Sequence, residues 1–191
     1  IGLRGAEMIA RRIKPDIAII TDVTHDTTTP LINKVIEGDV ATGKGPSLCY
    51  APAVHNKLLT LVEEVAAKKK IPVQWRAQSR STGTDTDSFA YSNDGCPSVL
   101  ISIPLRYMHT TVEMLHRDDI ESTIRLMYET LLTFCGLLMI IHAMFRMNRF
   151  MYDGLEEDKK KRVHVFNTFF YPRLAQCFKY AFTSTFQVII D

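Results

Sequence analysis

Three side chains stand where a fold can put them to chemical use: Asp22, Asp85 and His109. Asp22 closes a short β-branched run, Asp16–Val23 (DIAIITDV). His109 follows an apolar run, Ser98–Ile103, that ends at Pro104 and passes straight into Arg106-Tyr107-Met108-His109. Asp85 lies in a glycine-led acidic loop, Gly83-Thr84-Asp85-Thr86-Asp87. The carboxyl end of a buried strand is where α/β proteins usually keep their sites. An imidazole there serves as a base, a metal ligand or a hydrogen-bonded structural group. Asp22 either solvates the end of its strand or points into the site crevice. The Gly-Thr-Asp loop offers backbone N–H groups and a carboxylate to a substrate, and an Asx-type turn capping the next helix is the equal alternative for Asp85.

The elements that must position these groups alternate between helix and strand. Leu3, Ala6, Ala10 and Ile13 fall at helical spacing, and Lys14-Pro15 stops that helix. Residues 24–49 are rich in Thr, Asp, Gly and Pro, with turns expected at Gly43, Gly45 and Pro46. His25 and Asp26 are read there as solvated loop residues. Lys57–Lys70 is an amphipathic helix burying Leu58, Leu61, Val62 and Val65, with a solvated lysine end and His55 in the turn before it. Ile71–Ala77 is the next strand, with Arg76 and Gln78 on one side. Asp118-Asp119 is expected to cap a helix over Ile120–Phe134. This alternation predicts an α/β fold: a mixed sheet flanked by helices.

Composition sets the outer bounds. The 191 residues are 46% hydrophobic and 23% charged, ordinary for one globular core with a small appendage. A net charge of +2 gives no reason to invoke nucleic acid or an anionic membrane. The four cysteines, Cys49, Cys96, Cys135 and Cys177, form no C-x-x-C pair and suit a reduced, cytoplasmic compartment. Ile1 opens directly into a charged amphipathic segment, unlike a signal peptide.

G-T-D-T-D, the Gly95-Cys96-Pro97 turn and I-P-L-R-Y-M-H-T-T-V-E resemble the active-site region of co-catalytic metallopeptidases, the tetrahedral and glutamyl (endoglucanase M-like) aminopeptidases. G-L-R-G-A, then P-D-I-A-I-I-T-D-V-T-H-D and Gly45-Pro46, match the same family in order and spacing, so the resemblance covers residues 1–134 as a C-terminal part of its catalytic domain. It implies that Asp22 and His109 are metal ligands, and that Gly83, Thr84, Asp85, Arg106 and Tyr107 border the substrate. It implies two divalent ions, zinc or cobalt, that polarise a peptide carbonyl and deliver hydroxide. Peptide substrates and a large homo-oligomer follow for the complete protein. The family's general-base glutamate precedes G-L-R-G-A, ahead of Ile1, and its other metal ligands lie further upstream. The chain by itself is therefore expected to bind metal weakly and to turn over no substrate.

Past Phe134 the character changes. Leu131–Phe145 is almost wholly apolar, short for a membrane span and better suited to a buried or partner-facing helix. A charged hinge, Arg146–Arg162, leads into an aromatic segment. Residues 158–176 resemble the early part of SUMO-specific cysteine proteases, without that family's catalytic set, so neither His164 nor Cys177 is read as catalytic. The expected organisation is a catalytic part over 1–134 and an unrelated helical, aromatic tail over 135–191, joined at a fusion point or truncation. A non-catalytic interaction module is the alternative function.

Overall fold

In the computed structural model, residues 2–152 are described, and their side chains from 2 to 136. The elements in chain order are α1 (Arg4–Ile13), β1 (Ala18–His25), α2 (Lys34–Glu37), β2 (Ser47–Tyr50), α3 (Asn56–Lys69), β3 (Gln74–Ala77), α4 (Asp85–Ala90), β4 (Ser98–Arg106), β5 (Met114–Leu115) and α5 (Arg117–Tyr152). The chain divides into two compact units at Leu131 and Leu132.

The first unit is built on a mixed five-stranded sheet of order β1-β4-β2-β3, with β5 added to β4. β1 and β4 run parallel, from Ala18 opposite Ser98 to His25 opposite Leu105. β2 is antiparallel to β4 and parallel to β3. β4 is central, which explains its mostly apolar sequence: Val99, Leu100 and Ile101 are fully buried, and Ser102 is the buried polar interruption. Fully burying each of those apolar side chains is worth about 1.5–3 kcal/mol. The mixed sheet flanked by helices agrees with the α/β reading.

β4 does not stop at Ile103; it continues through Pro104 to Arg106. The ladder explains why proline is tolerated. Pro97 and Leu105 accept from β1, while the Ser98 carbonyl accepts from His55 N on the opposite side. Even-numbered residues of β4 therefore face β2 and β5. Pro104 falls between the β2 pairs, at Ile101 and Ser102, and the β5 pairs, at Leu105 and Arg106, where no N–H is called for.

Other boundaries shift for similar reasons. β1 begins at Ala18 and runs to His25, beyond the Val23 expected. The stretch 24–49 is not all loop: it holds α2 and the start of β2, whose four residues are too few to show a period. In α1 Ala6 and Ala10 are buried, but Ile13, at the same helical spacing, is exposed. α3 buries Leu58, Leu59, Val62 and Val65, and His55 caps it, its Nδ1 accepting from Leu58 N at 3.4 Å. β3 covers only Gln74–Ala77.

Cys49 and Cys96 are buried free thiols, and burial pushes both pKa values up. Such thiols are inert packing groups. α5 extends through the apolar Leu131–Phe145 run to Tyr152, past the Phe134 expected. Among the described residues no helix is long and apolar enough to cross a membrane. The segment 158–176, His164 and Cys177 lie outside the described residues.

Candidate metallopeptidase site

Asp22 lies on β1 opposite Ser102 of β4. It is three residues short of the strand's end, not at it. Its Oδ1 accepts from the adjacent Val23 N at 2.8 Å, so the half-buried carboxylate is held against its own strand. His109 lies three residues past the end of β4, in the turn leading to β5. Because β1 and β4 are adjacent and parallel, their carboxyl ends leave the same edge of the sheet.

The His109 turn is unusual in its backbone. Tyr107 and His109 both take left-handed conformations, φ 58° and 64°. Neither is glycine, so each is held there at some cost by its surroundings, and such strain concentrates at functional sites. Two bonds hold the turn. His109 N donates to Glu113 Oε1 at 2.6 Å, and Thr110 Oγ1 donates to the Tyr107 carbonyl at 2.6 Å. The result is an exposed imidazole on a fixed backbone. Arg106 lies over the Tyr107 ring at 5.1 Å, and its Nε is shielded from water without a hydrogen-bond partner. A donor left unsatisfied next to the turn can bind a carbonyl or carboxylate oxygen.

In the Gly83–Asp87 loop the cap expected as one reading of Asp85 is made by other residues. Thr84 is the N-cap of α4, and its Oγ1 accepts from Thr86 N. Asp87, to which no role was assigned from sequence, accepts from Thr82 N at 3.1 Å and Gly83 N at 2.9 Å. Asp85 stays exposed, so the Asx-type cap belongs to its neighbours. Gly83 takes φ 69°, which places it in the left-handed region.

Two further carboxylates have roles other than those read from sequence, because each binds a segment far from it along the chain. Asp26 is not a solvated loop residue but 1% exposed. Its Oδ1 accepts from Thr28 N and Oγ1 at 2.7 and 2.6 Å, and its Oδ2 from Thr42 N and Oγ1 at 3.0 and 2.8 Å. Burial alone would raise its pKa, but the Thr28 and Thr42 hydrogen bonds together outweigh burial and hold it below the usual carboxylate range. Asp119 does not serve as a simple helix cap. Fully buried, it accepts from Gly43 N and Gly45 N, both at 2.7 Å. Gln74 completes the arrangement by bonding Ala41 N, Ala41 O and Gly45 O. The loop after β1 is thus pinned by Asp26, Gln74 and Asp119, which anchors the strand that carries Asp22.

The depressed Asp26 carboxyl makes a directional prediction. A group with a lowered folded-state pKa stabilises above its unfolded value and loses that contribution as pH falls through the folded one. Asp26→Asn should cost about 3 kcal/mol near neutral pH, and its deficit against wild type should shrink as pH falls below 3.8. Urea denaturation of both proteins across that range checks it.

One carboxylate and one imidazole are donors of the right kind for a divalent ion, but a tetrahedral site takes three protein ligands and a water. Among the described residues no group of three or more His, Cys, Asp or Glu is placed to hold one. Asp22 and His109 therefore do not make a closed site by themselves.

Residues 1–126 match the M42 glutamyl aminopeptidase family. The chain is 36% identical over 126 residues to the lysyl aminopeptidase of Pyrococcus furiosus, a match covering 66% of this chain and 36% of that protein. Its fold is similar to a TET aminopeptidase from a marine-sediment Thaumarchaeota archaeon, with TM-score 0.61, 36% identity, and coverage of 68% of this chain and 36% of that one. It is also similar to the Pyrococcus horikoshii TET1 peptidase, which assembles into a tetrahedron or a large octahedral shell, with TM-score 0.56, 29% identity, and coverage of 69% and 37%. The chain spans little more than a third of the length of these relatives. With G-L-R-G-A, the Asp22 strand and the R-Y-M-H turn all inside the matched region, the chain belongs to the M42 glutamyl aminopeptidase family of peptidases.

Proposed function

We propose that this chain is the C-terminal part of a metal-dependent aminopeptidase centre that releases N-terminal residues from peptides. The observation that carries this is the family match together with two neighbouring parallel strands that bring Asp22 and the His109 turn to one sheet edge. Asp22 and His109 contribute ligands for a divalent ion, zinc or cobalt, and the other ligands and the general base come from polypeptide outside the matched region. Residues 1–134 form the catalytic part, and 135–191 are a separate appendage.

The chain's own residues do the positioning. The strained turn fixes the backbone that carries the imidazole before any ligand arrives, which lowers the ordering cost of binding. Arg106, with its unpaired Nε, is placed to orient a substrate carbonyl. Tyr107 stacks beneath that guanidinium and holds it. Gly83, Thr84 and exposed Asp85 border the substrate, with Asp85 available to its free amine. The substrates are peptides, and the complete protein is a homo-oligomer, as the TET relative's assemblies suggest. The buried free thiols suit a cytoplasmic setting.

Cobalt titration of the whole chain, followed by visible absorption, tests the ligand assignment. Binding is expected with Kd on the order of 10–1,000 µM, as befits two donors, and Asp22→Ala or His109→Ala should each weaken it about tenfold or more. Equal affinity in wild type and both variants contradicts the assignment.

A further inference from the structure

One face of the sheet carries a polar row through its apolar interior. Residues paired across neighbouring strands project to the same face. Asp22 of β1 pairs with Ser102 of β4, Ser102 with Ser47 of β2, and Ser47 with Gln74 of β3. Ser47 and Ser102 are both 0% exposed, and among the described residues neither Oγ has a hydrogen-bond partner. Burying an unbonded hydroxyl is costly, so two of them side by side call for a reason. At one end of the row the Gln74 amide is already committed to Ala41 and Gly45. At the other end stands the half-buried Asp22 carboxylate, whose Oδ1 accepts from Val23 N while Oδ2 has lone pairs to give.

We propose that Ser102 is a positioning residue for the Asp22 ligand and that Ser47 acts behind it, the two forming a hydroxyl relay across β2, β4 and β1. The chemistry fixes its direction. A carboxylate only accepts, so the Ser102 Oγ–H donates to Asp22, and the Ser102 lone pairs then accept from the Ser47 Oγ–H. The structure shows the relay open, with Asp22 turned onto Val23 N. Swinging the carboxylate off that bond and over Ser102 closes the relay, each serine hydroxyl turning about its Cα–Cβ bond. Both buried hydroxyls gain partners together, and the bond to the carboxylate is of the stronger, charge-assisted kind. The carboxylate is then held in one plane, with lone pairs left for a divalent ion. This rests on the function proposed above and deepens it, because outer partners of this kind orient a metal-ligating group and tune its basicity.

The test is a cobalt titration of the full chain, followed by visible absorption, run beside thermal denaturation without cobalt. Ser102→Ala should weaken cobalt binding about tenfold and alter the visible band at saturation. Its melting temperature without cobalt should stay the same or rise, because the open hydroxyl has no bond to lose. A hydroxyl that merely supports the fold moves affinity and stability in the same direction. Ser47→Ala should weaken binding about threefold, and add nothing in the Ser102→Ala background, since it acts through Ser102. Thr130→Val removes another buried, unpartnered hydroxyl, on α5, and should leave the affinity unchanged. Four results overturn the relay: affinity indifferent to Ser102→Ala, a fall in melting temperature alongside the lost affinity, additive effects of the two serine variants, or a like loss with Thr130→Val. Asp22→Ala separates this inference from the reading beneath it. If that variant also leaves the affinity unchanged, the ligand assignment fails as well; if it weakens binding while Ser102→Ala does not, only the relay fails.

Discussion

Gly45→Ala should destabilise the first unit by about 3 kcal/mol or more, lowering its melting temperature by about 10 °C. Gly45 has φ 91°, and a Cβ built there lies 2.2 Å from the Pro72 carbonyl oxygen and 2.8 Å from its carbon. Both are backbone atoms, so no side chain can turn aside to make room. The loop cannot retreat either, because Gly45 N is bonded to Asp119 and Gly45 O to Gln74. Steric overlap and left-handed strain therefore add. Gly43→Ala is the control. It shares a positive φ of 80°, but its Cβ meets only the His116 side chain, at 3.5 Å, so about 1 kcal/mol is expected. Thermal denaturation of the two variants side by side separates overlap from strain. Equal losses would mean that the Pro72 contact relaxes at little cost.

The second large effect comes from the carboxylate that holds the same loop. Asp119→Ala removes both acceptors from two buried or partly buried N–H groups at once. Charge-assisted bonds at 2.7 Å are among the stronger ones, and their donors are left unpaired, so about 3–5 kcal/mol is expected. Asp119→Asn keeps the shape but presents an NH2 group towards one of the two donors, and should recover about half of the loss. Asp119→Ala combined with Gly45→Ala should cost less than the sum of the two, because the loop is already released. Urea denaturation of the single and double variants gives these values. Additive losses would show that Asp119 and Gly45 do not act through one loop.

These two residues also show where sequence reasoning ends. The turn signals at Gly43, Gly45 and Pro46 were legible, because glycine and proline act locally. What Gly45 avoids is Pro72, and what Asp119 binds lies more than 70 residues before it. A lone Asp before a helix reads as a cap, and only the fold shows it reaching back to a loop. Asp26 was misplaced for the same reason: Thr42 supplies two of its four donors. β4 was visible as a mostly apolar run because it is buried by neighbours on both sides. Its last residues were hidden behind Pro104, a stop signal that the gap between β2 and β5 cancels. The alternation of elements was legible and gave the α/β sheet. The short β2 was not, since four residues carry no period. The His109 turn was visible as a motif, while its left-handed backbone and the bond to Glu113 were not, because neither leaves a pattern along the chain.

The central claim is that this chain carries a working share of an M42 aminopeptidase centre, and a chimera tests it most directly. Residues 1–126 replace the matched segment of the Pyrococcus furiosus lysyl aminopeptidase, and hydrolysis of aminoacyl p-nitroanilides is measured with added cobalt or zinc. The chimera is expected to turn over substrate, and Asp22→Ala or His109→Ala within it should each reduce kcat/KM by about a hundredfold or more while the assembly stays intact. A folded, correctly assembled chimera without turnover, or one whose turnover survives loss of either residue, contradicts it.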